Sequence, residues 1–301
     1  MARIRPPQTH RLGVVQPNVR FSGGNADPSA TIDPPAPTRP YTFGELIDMP
    51  FGLLQASIKT LAGLGAVGLV IGEALILAVS SIVSLAGGGG ETLVRSTVIV
   101  TAAIYLWVLR TVLRGVATST GLAAMGGRRL RWRVALADVR SHAGPFLRHQ
   151  LMFTLVGLPF FLLVVGAIPW PALILTLPIQ IWLGRIRARR YVAAPAIFAE
   201  NVDYKTAVWR SKLLTAKNVG RLTWIWIDHR LLLIPVAYPL YAFREKFGMF
   251  TGTERWGSIA LSVGAVILIV AIGEIVEANT RVLAYFDTRC RREGFDIRVP
   301  R

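Results

Sequence analysis

Apolar stretches long enough to be membrane helices alternate along the chain with short polar or basic segments. The apolar runs fall at about 61–85, 94–122, 146–168, 172–183, 222–243 and 258–286. Leu222 to Phe243 alone supplies about 33 Å of helix at about 1.5 Å per residue, which matches a hydrocarbon core about 30 Å thick. The fourth run is short, so its helix is expected to continue through the Arg185 to Arg190 cluster, whose long side chains can snorkel to the interface. The predicted fold class is all-α: a polytopic membrane protein of about six transmembrane helices in three hairpins, each hairpin preceded by an amphipathic interfacial helix.

The interfacial helices show as shorter stripes. Phe43, Leu46, Ile47 and Leu54 share one helical face, with Pro50 expected to kink or break that helix. Trp132, Ala135, Leu136 and Val139 follow the i, i+3, i+4, i+7 rule. In the third, Asn201 or Asp203 is expected to cap a helix whose weakly polar face is Tyr204, Ala207, Val208, Ser211 and Leu214, with Lys205, Lys212 and Lys217 pointing elsewhere. Such a helix suits a headgroup layer. Starts near Phe43, Leu130 and Asp203 define a weak internal repeat of one surface helix plus one hairpin. Shared topological constraints would produce the same spacing without common ancestry. Gly87 to Gly90 read as a flexible turn, and Gly68 with Gly72 as a GxxxG contact inside the first span.

Charge fixes the expected orientation. Segments 1–60, 126–148, 184–221 and 281–301 hold 27 of the 34 Lys and Arg, whereas 86–95, 168–171 and 244–257 hold 4. That split predicts six spans with both termini in the cytoplasm and external turns near Gly88, Pro169 and Gly252. It also assigns the net charge of +17 to topology, so nucleic acid is not an expected partner. A mean hydropathy of +0.47 agrees with a bilayer as solvent. Residues 1–40 carry eight prolines from Pro6 to Pro40, lack an apolar h-region and read as a disordered basic cytoplasmic tail. The transmembrane domain is expected over 41–298, with a frayed end at 299–301.

Three stretches carry a resemblance: YTFGELIDMPFGLL from Tyr41, YVAAPAIFAENVDYKTAVWRSKLL from Tyr191 and YFDTRCRREGFDI from Tyr285. Together they resemble the start, middle and end signatures of bacterial polytopic proteins similar to the membrane domain attached to some glycerophosphodiester phosphodiesterases. The resemblance covers roughly Tyr41 to Ile297. It implies a helical module in the bacterial plasma (inner) membrane, and matches Pro195, Glu200, Arg210, Ser211, Tyr285, Asp287, Arg289, Arg292 and Glu293. No catalytic phosphodiesterase domain accompanies these stretches, so that activity does not carry over. Asp228, His229 and Arg230 depart from the apolar run usual in the fifth span.

Motifs for chemistry are scarce. One cysteine, Cys290, excludes an intrachain disulfide and a thiolate cluster, and His10, His142, His149 and His229 lack metal-ligand spacing. No nucleotide loop or GxSxG elbow occurs, so catalytic, cofactor-binding and metal-binding residues are all expected to be none. The notable residues are ionisable ones at membrane depth: Glu73, Arg110, Arg114, Asp228, His229, Arg230, Glu274 and Glu277. A charge there costs at least about 2.5 to 3.5 kcal/mol, so these should face one another or water. Either structural pairing or a solute path is compatible with them, and Asp228 to Arg230 can instead mark a bend at the inner interface. Arg230 and Glu274 lie about 13 Å and 10 Å from the inner ends of their spans, which predicts a pair between them. Glu277, with Arg281 at i+4, competes. Arg131, Arg133, Lys205, Arg210, Lys212 and Lys217 are the expected surface for membrane lipids with anionic headgroups or another membrane protein. Two functions follow: a non-enzymatic accessory or assembly module, and a transporter or permease-like protein for a small or lipidic solute.

Overall fold

The computed structural model describes residues 39–167, 177–233, 235–240, 242–243 and 255–293. These are helical, with no strand among them. Residues 1–38 of the expected tail, the turns at Pro169 and Gly252 and the C-terminal end lie outside the described residues.

Among the described residues three helices are long and apolar enough to cross a membrane: α2 (Ile58–Ala86), α3 (Glu91–Met125) and α10 (Trp256–Glu293). They match the first, second and sixth apolar runs. Only 17%, 11% and 33% of their most apolar windows is buried, so those surfaces face outward. Val70, Ile71, Ile82, Val100 and Ile104 are all more than half exposed. Such a surface is stable against lipid and not against water.

α2 and α3 form an antiparallel hairpin through Gly88 and Gly89, whose φ of 67° and 78° suits residues without a Cβ. The GxxxG pair accepts a side chain, not a second backbone. A Cβ on Gly72 would stand 2.1 Å from the Tyr105 ring, and the Tyr105 hydroxyl donates to the Gly68 carbonyl. α3 ends at Gly127 in a Schellman turn, with Arg128 N donating to Ala123 O and Gly127 N to Ala124 O, both at 2.9 Å. α10 runs beside α3 in the same direction: residues around Arg110 meet Glu274, and Gly121 meets Asn279 and Val282.

The remaining helices wrap the far ends of α3 and α10. They are α1 (Phe43–Ala56), α4 (Trp132–Ser141), α5 (Ala143–Ala167), α6 (Leu177–Ala188), α7 (Ala193–Glu200), α8 (Tyr204–Thr215) and α9 (Val219–Leu232). α1 starts in a capping box, Thr42 Oγ1 accepting from Glu45 N and Glu45 reaching back to Thr42 N. The Arg39 guanidinium and the Thr42 N–H hold the Glu45 carboxyl down at about 2. Pro50 does not break this helix; it is buried within α1, and the break falls at Ser57. α4 buries Ala135 and packs Leu136 and Val139 on the core. α8 is capped by Asp203, which accepts from Lys205 N at 3.2 Å and Thr206 N at 3.3 Å, while Asn201 adopts a left-handed φ of 49° and ends α7.

The weakly polar face of α8 meets protein. Ala207, Val208, Ser211 and Leu214 are buried in a core that includes Tyr191 to Phe198 of the α6–α7 region and Val282 to Tyr285 of α10. The outer face of α8 instead shows Lys205, Trp209, Lys212 and Leu213.

Candidate functional site

Burial along α3 and α10 is opposite to hydropathy. From Leu113 onward α3 is buried at every residue to Met125, and α10 is buried from Glu274 to Tyr285. These are the polar halves of both helices. Arg114 and Arg281 are fully buried, and Glu274 and Glu277 are each 5% exposed.

Helical spacing makes the site. Arg110 and Arg114 are one turn apart on α3, while Glu274, Glu277 and Arg281 occupy i, i+3 and i+7 on α10. Arg110 Nε donates to Glu274 Oε1 at 2.6 Å, and Arg114 Nη2 donates to Glu274 Oε2. Arg114 Nη1 also donates to Gln150 Oε1 at 2.8 Å, and Arg281 Nη2 donates to Glu277 Oε1. Arg114 lies 3.8 Å from Glu277, which links the two pairs. Aromatic rings close the other sides: Arg281 sits 4.7 Å from the Phe153 ring and 5.1 Å from Tyr191, and Arg187 sits 4.7 Å from Phe153. Arg114 Nε, Arg281 Nε and Nη1 and His149 Nε2 have no hydrogen-bond partner among the described residues.

Glu274 therefore takes Arg110 and Arg114. The side chain of Arg230, the partner expected from depth, lies outside the described residues. Glu73 stays apart: it approaches Gly264, ten residues and about 15 Å along α10 from Glu274. His229 faces α10, with Nε2 3.2 Å from Thr280 Oγ1 and Nδ1 2.8 Å from Ile225 O. Asp228 is half-buried next to it.

A second network joins residues from the three signature stretches. Tyr285 donates to Glu200 Oε1 at 2.7 Å, Arg210 Nε donates to Glu200 at 3.1 Å, and Arg210 also pairs with Glu293. Arg289 Nε donates to Glu293 at 2.8 Å. One turn away, Asp287 accepts from Tyr41 N at 2.8 Å, Arg221 Nη1 at 3.3 Å and Arg291 Nε at 3.1 Å. Arg221 and Arg291 both donate to Tyr41 O as well, at 2.7 and 2.6 Å. Burial raises the Tyr41 hydroxyl above its ordinary range.

Among the expected surface cations, Arg131, Arg133, Lys205, Lys212 and Lys217 are exposed. Arg210 is turned inward by its two carboxylates. Gln150, Phe153 and Tyr191 were not readable as network members, since a neutral amide and an aromatic in an apolar run, and a tyrosine just past a basic cluster, carry no local signal of a partner. Among the described residues, no three His, Cys, Asp or Glu side chains gather as a metal site.

Fold and site together define a helical, membrane-associated protein with a buried ion-pair network at one end of its apolar helices. Comparison of the chain with protein-family models, with curated proteins and with solved structures finds no match.

Proposed function

We propose that this chain is a non-enzymatic integral membrane module, an accessory or assembly subunit that works by binding a protein partner or anionic lipid. The observation that carries the reading is the use of buried charge. Glu274 is consumed by two arginines and Glu277 by Arg281, with aromatic rings around the guanidiniums. Pairing of this kind offsets the desolvation of each ion and fixes helix register. A solute path needs charges directed at water. The exposed cations of α4 and α8 then supply the contact surface.

The reading includes six spans in three hairpins, in the bacterial inner membrane, with both termini cytoplasmic. The 27-to-4 charge split supports it, as do α2, α3 and α10. Labelling from outside the cell tests the topology: a cysteine at Gly88 or Gly252 should react and one at Arg128 should not. The native Cys290 is 3% exposed, so its background is low.

One observation favours transport as the second reading. Arg281 Nε and Nη1 and His149 Nε2 lack partners among the described residues, as donors beside a solute path would. Copurification in mild detergent separates the two. A stoichiometric partner supports the module, and solute flux by the lone protein in proteoliposomes replaces it with the transporter.

A further inference from the structure

We propose that the cleft between the α6–α7 turn, α8 and the start of α9 seats the phosphate of an anionic phospholipid. The cleft has a volume of about 330 Å³ and is lined by Arg189, Lys212, Ala216 and Val219. Both of its polar walls are cationic, and no carboxylate is among these lining residues. Arg189 is presented from a fixed main chain. Its carbonyl accepts the Ser211 hydroxyl at 3.1 Å, which pins the turn to the inner face of α8, where the Thr215 hydroxyl donates to Ser211 O at 2.8 Å. Only side-chain torsions then remain to be ordered on binding.

The occupant follows from what borders the cations. Trp209, Lys212, Leu213 and Ala216 stand at i, i+3, i+4 and i+7, so they form one stripe on the outer face of α8. Trp209 is 63% exposed and Leu213 48%. An indole and a leucine beside a cationic cleft suit the glycerol and upper acyl region of a lipid, with the phosphate held by Arg189 and Lys212. A free oxyanion would use the cations and leave the apolar pair in water. Val219 opens α9, and the positive end of that helix's dipole favours an anion still further. This inference deepens the lipid-binding part of the proposed function and rests on α8 lying at the membrane surface.

The test uses the full chain, purified in detergent and stripped of lipid. Thermal unfolding is followed with short-chain phosphatidylglycerol, short-chain phosphatidylcholine or inorganic phosphate at matched concentrations. Phosphatidylglycerol should raise the midpoint saturably, phosphatidylcholine should do so more weakly, and inorganic phosphate should not. Arg189→Gln and Lys212→Gln should each weaken the apparent affinity about fivefold, the equivalent of about 1 kcal/mol per basic residue near anionic lipid. The double variant should lose about 25-fold if the two act independently. Both positions are exposed, so their variants should fold, and Trp209→Ala supplies a third probe that leaves every charge in place. Arg95→Gln, exposed at the opposite end of α3, is the control expected to keep full affinity. Unchanged affinity in the Arg189/Lys212 double variant overturns the site, and an equal shift by inorganic phosphate overturns the lipid. If phosphatidylglycerol has no effect while a partner copurifies, the site fails and the module reading stands. Solute flux with the lipid shift intact has the reverse meaning.

Discussion

Replacing Glu274 by Gln tests whether the buried network holds the fold together. The change keeps the side chain's size and one acceptor oxygen but removes the charge that Arg110 and Arg114 share. Arg114 is fully buried, and breaking a buried pair costs about 3 to 5 kcal/mol because the remaining ion is stranded. Two features reduce that figure. Arg114 keeps Gln150 at 2.8 Å and Glu277 at 3.8 Å, and a charge pair near 4 Å still contributes at most about 4 kcal/mol at an effective dielectric of about 20. Arg110 is 34% exposed on its side chain, so solvent screening limits its share to about 0 to 1 kcal/mol. A net loss of about 3 kcal/mol is expected, read as unfolding free energy of the detergent-purified protein. Arg114→Met combined with Glu274→Gln should recover about 1 to 3 kcal/mol relative to additivity. A single-variant loss under about 0.5 kcal/mol, or strictly additive losses, would refute the network's structural role and take away the main support for the module reading.

Three further outcomes are expected. Gly72→Ala places a Cβ 2.1 Å from the Tyr105 ring and should destabilise by about 1 to 3 kcal/mol in thermal melts, whereas Gly63→Ala, with open space around it, should gain up to about 1 kcal/mol; equal effects would remove the Tyr105 slot. Asp287→Asn weakens the clamp on the Tyr41 main chain, so chymotryptic cleavage after Tyr41 should accelerate; an unchanged rate means Arg221 and Arg291 suffice. The Asp138 side chain raises the His142 imidazole above its ordinary value of 6.5, so its contribution to stability is complete below that value and is lost as pH rises through the higher folded value. Melts across that window should lose their pH dependence in His142→Gln, and a persistent dependence would assign it to another group.

Hydropathy was enough to find α2, α3 and α10, because a long run of apolar residues has few stable environments other than lipid. Periodicity placed the starts of α1, α4 and α8 well, expected near Phe43, Leu130 and Asp203 and found at Phe43, Trp132 and Tyr204. What it could not assign was the neighbour. Ala207, Val208, Ser211 and Leu214 read as a face, and nothing local distinguishes a protein core from a headgroup layer. The same limit applies to Glu274. Its depth was legible from the rise per residue, and Arg110 with Arg114 was legible as a pair on one face. That these meet depends on α3 and α10 being neighbours across 160 residues of chain, and two-body depth matching within a hairpin favoured Arg230 instead. Pro50 does not end its helix for a different reason: Leu46 and Pro50 are buried on one face of α1 that packs against α10, and that packing offsets what the proline alone would interrupt.

The lengths of α3 and α10 explain where binding belongs. At about 1.5 Å per residue, 35 and 38 residues reach about 52 and 57 Å, well beyond a hydrocarbon core of about 30 Å. In a bilayer of that thickness each helix would extend about 20 Å beyond the lipid, and burial within the protein begins at Leu113 and Glu274. The ion pairs stand where that burial begins. Apolar contacts between α3 and α10 would tolerate a slide of one turn, since one leucine-like surface replaces another. The charges would not. Sliding α10 by a turn toward the apolar half would carry Glu274 from Arg110 to the level of Leu106 and strand it at a cost of at least about 2.5 to 3.5 kcal/mol. The network thus fixes the register of α3 against α10 and with it the position of α1, α4, α7 and α8, which in the proposed reading sets the height at which Trp209, Lys212 and Arg189 would meet the membrane surface.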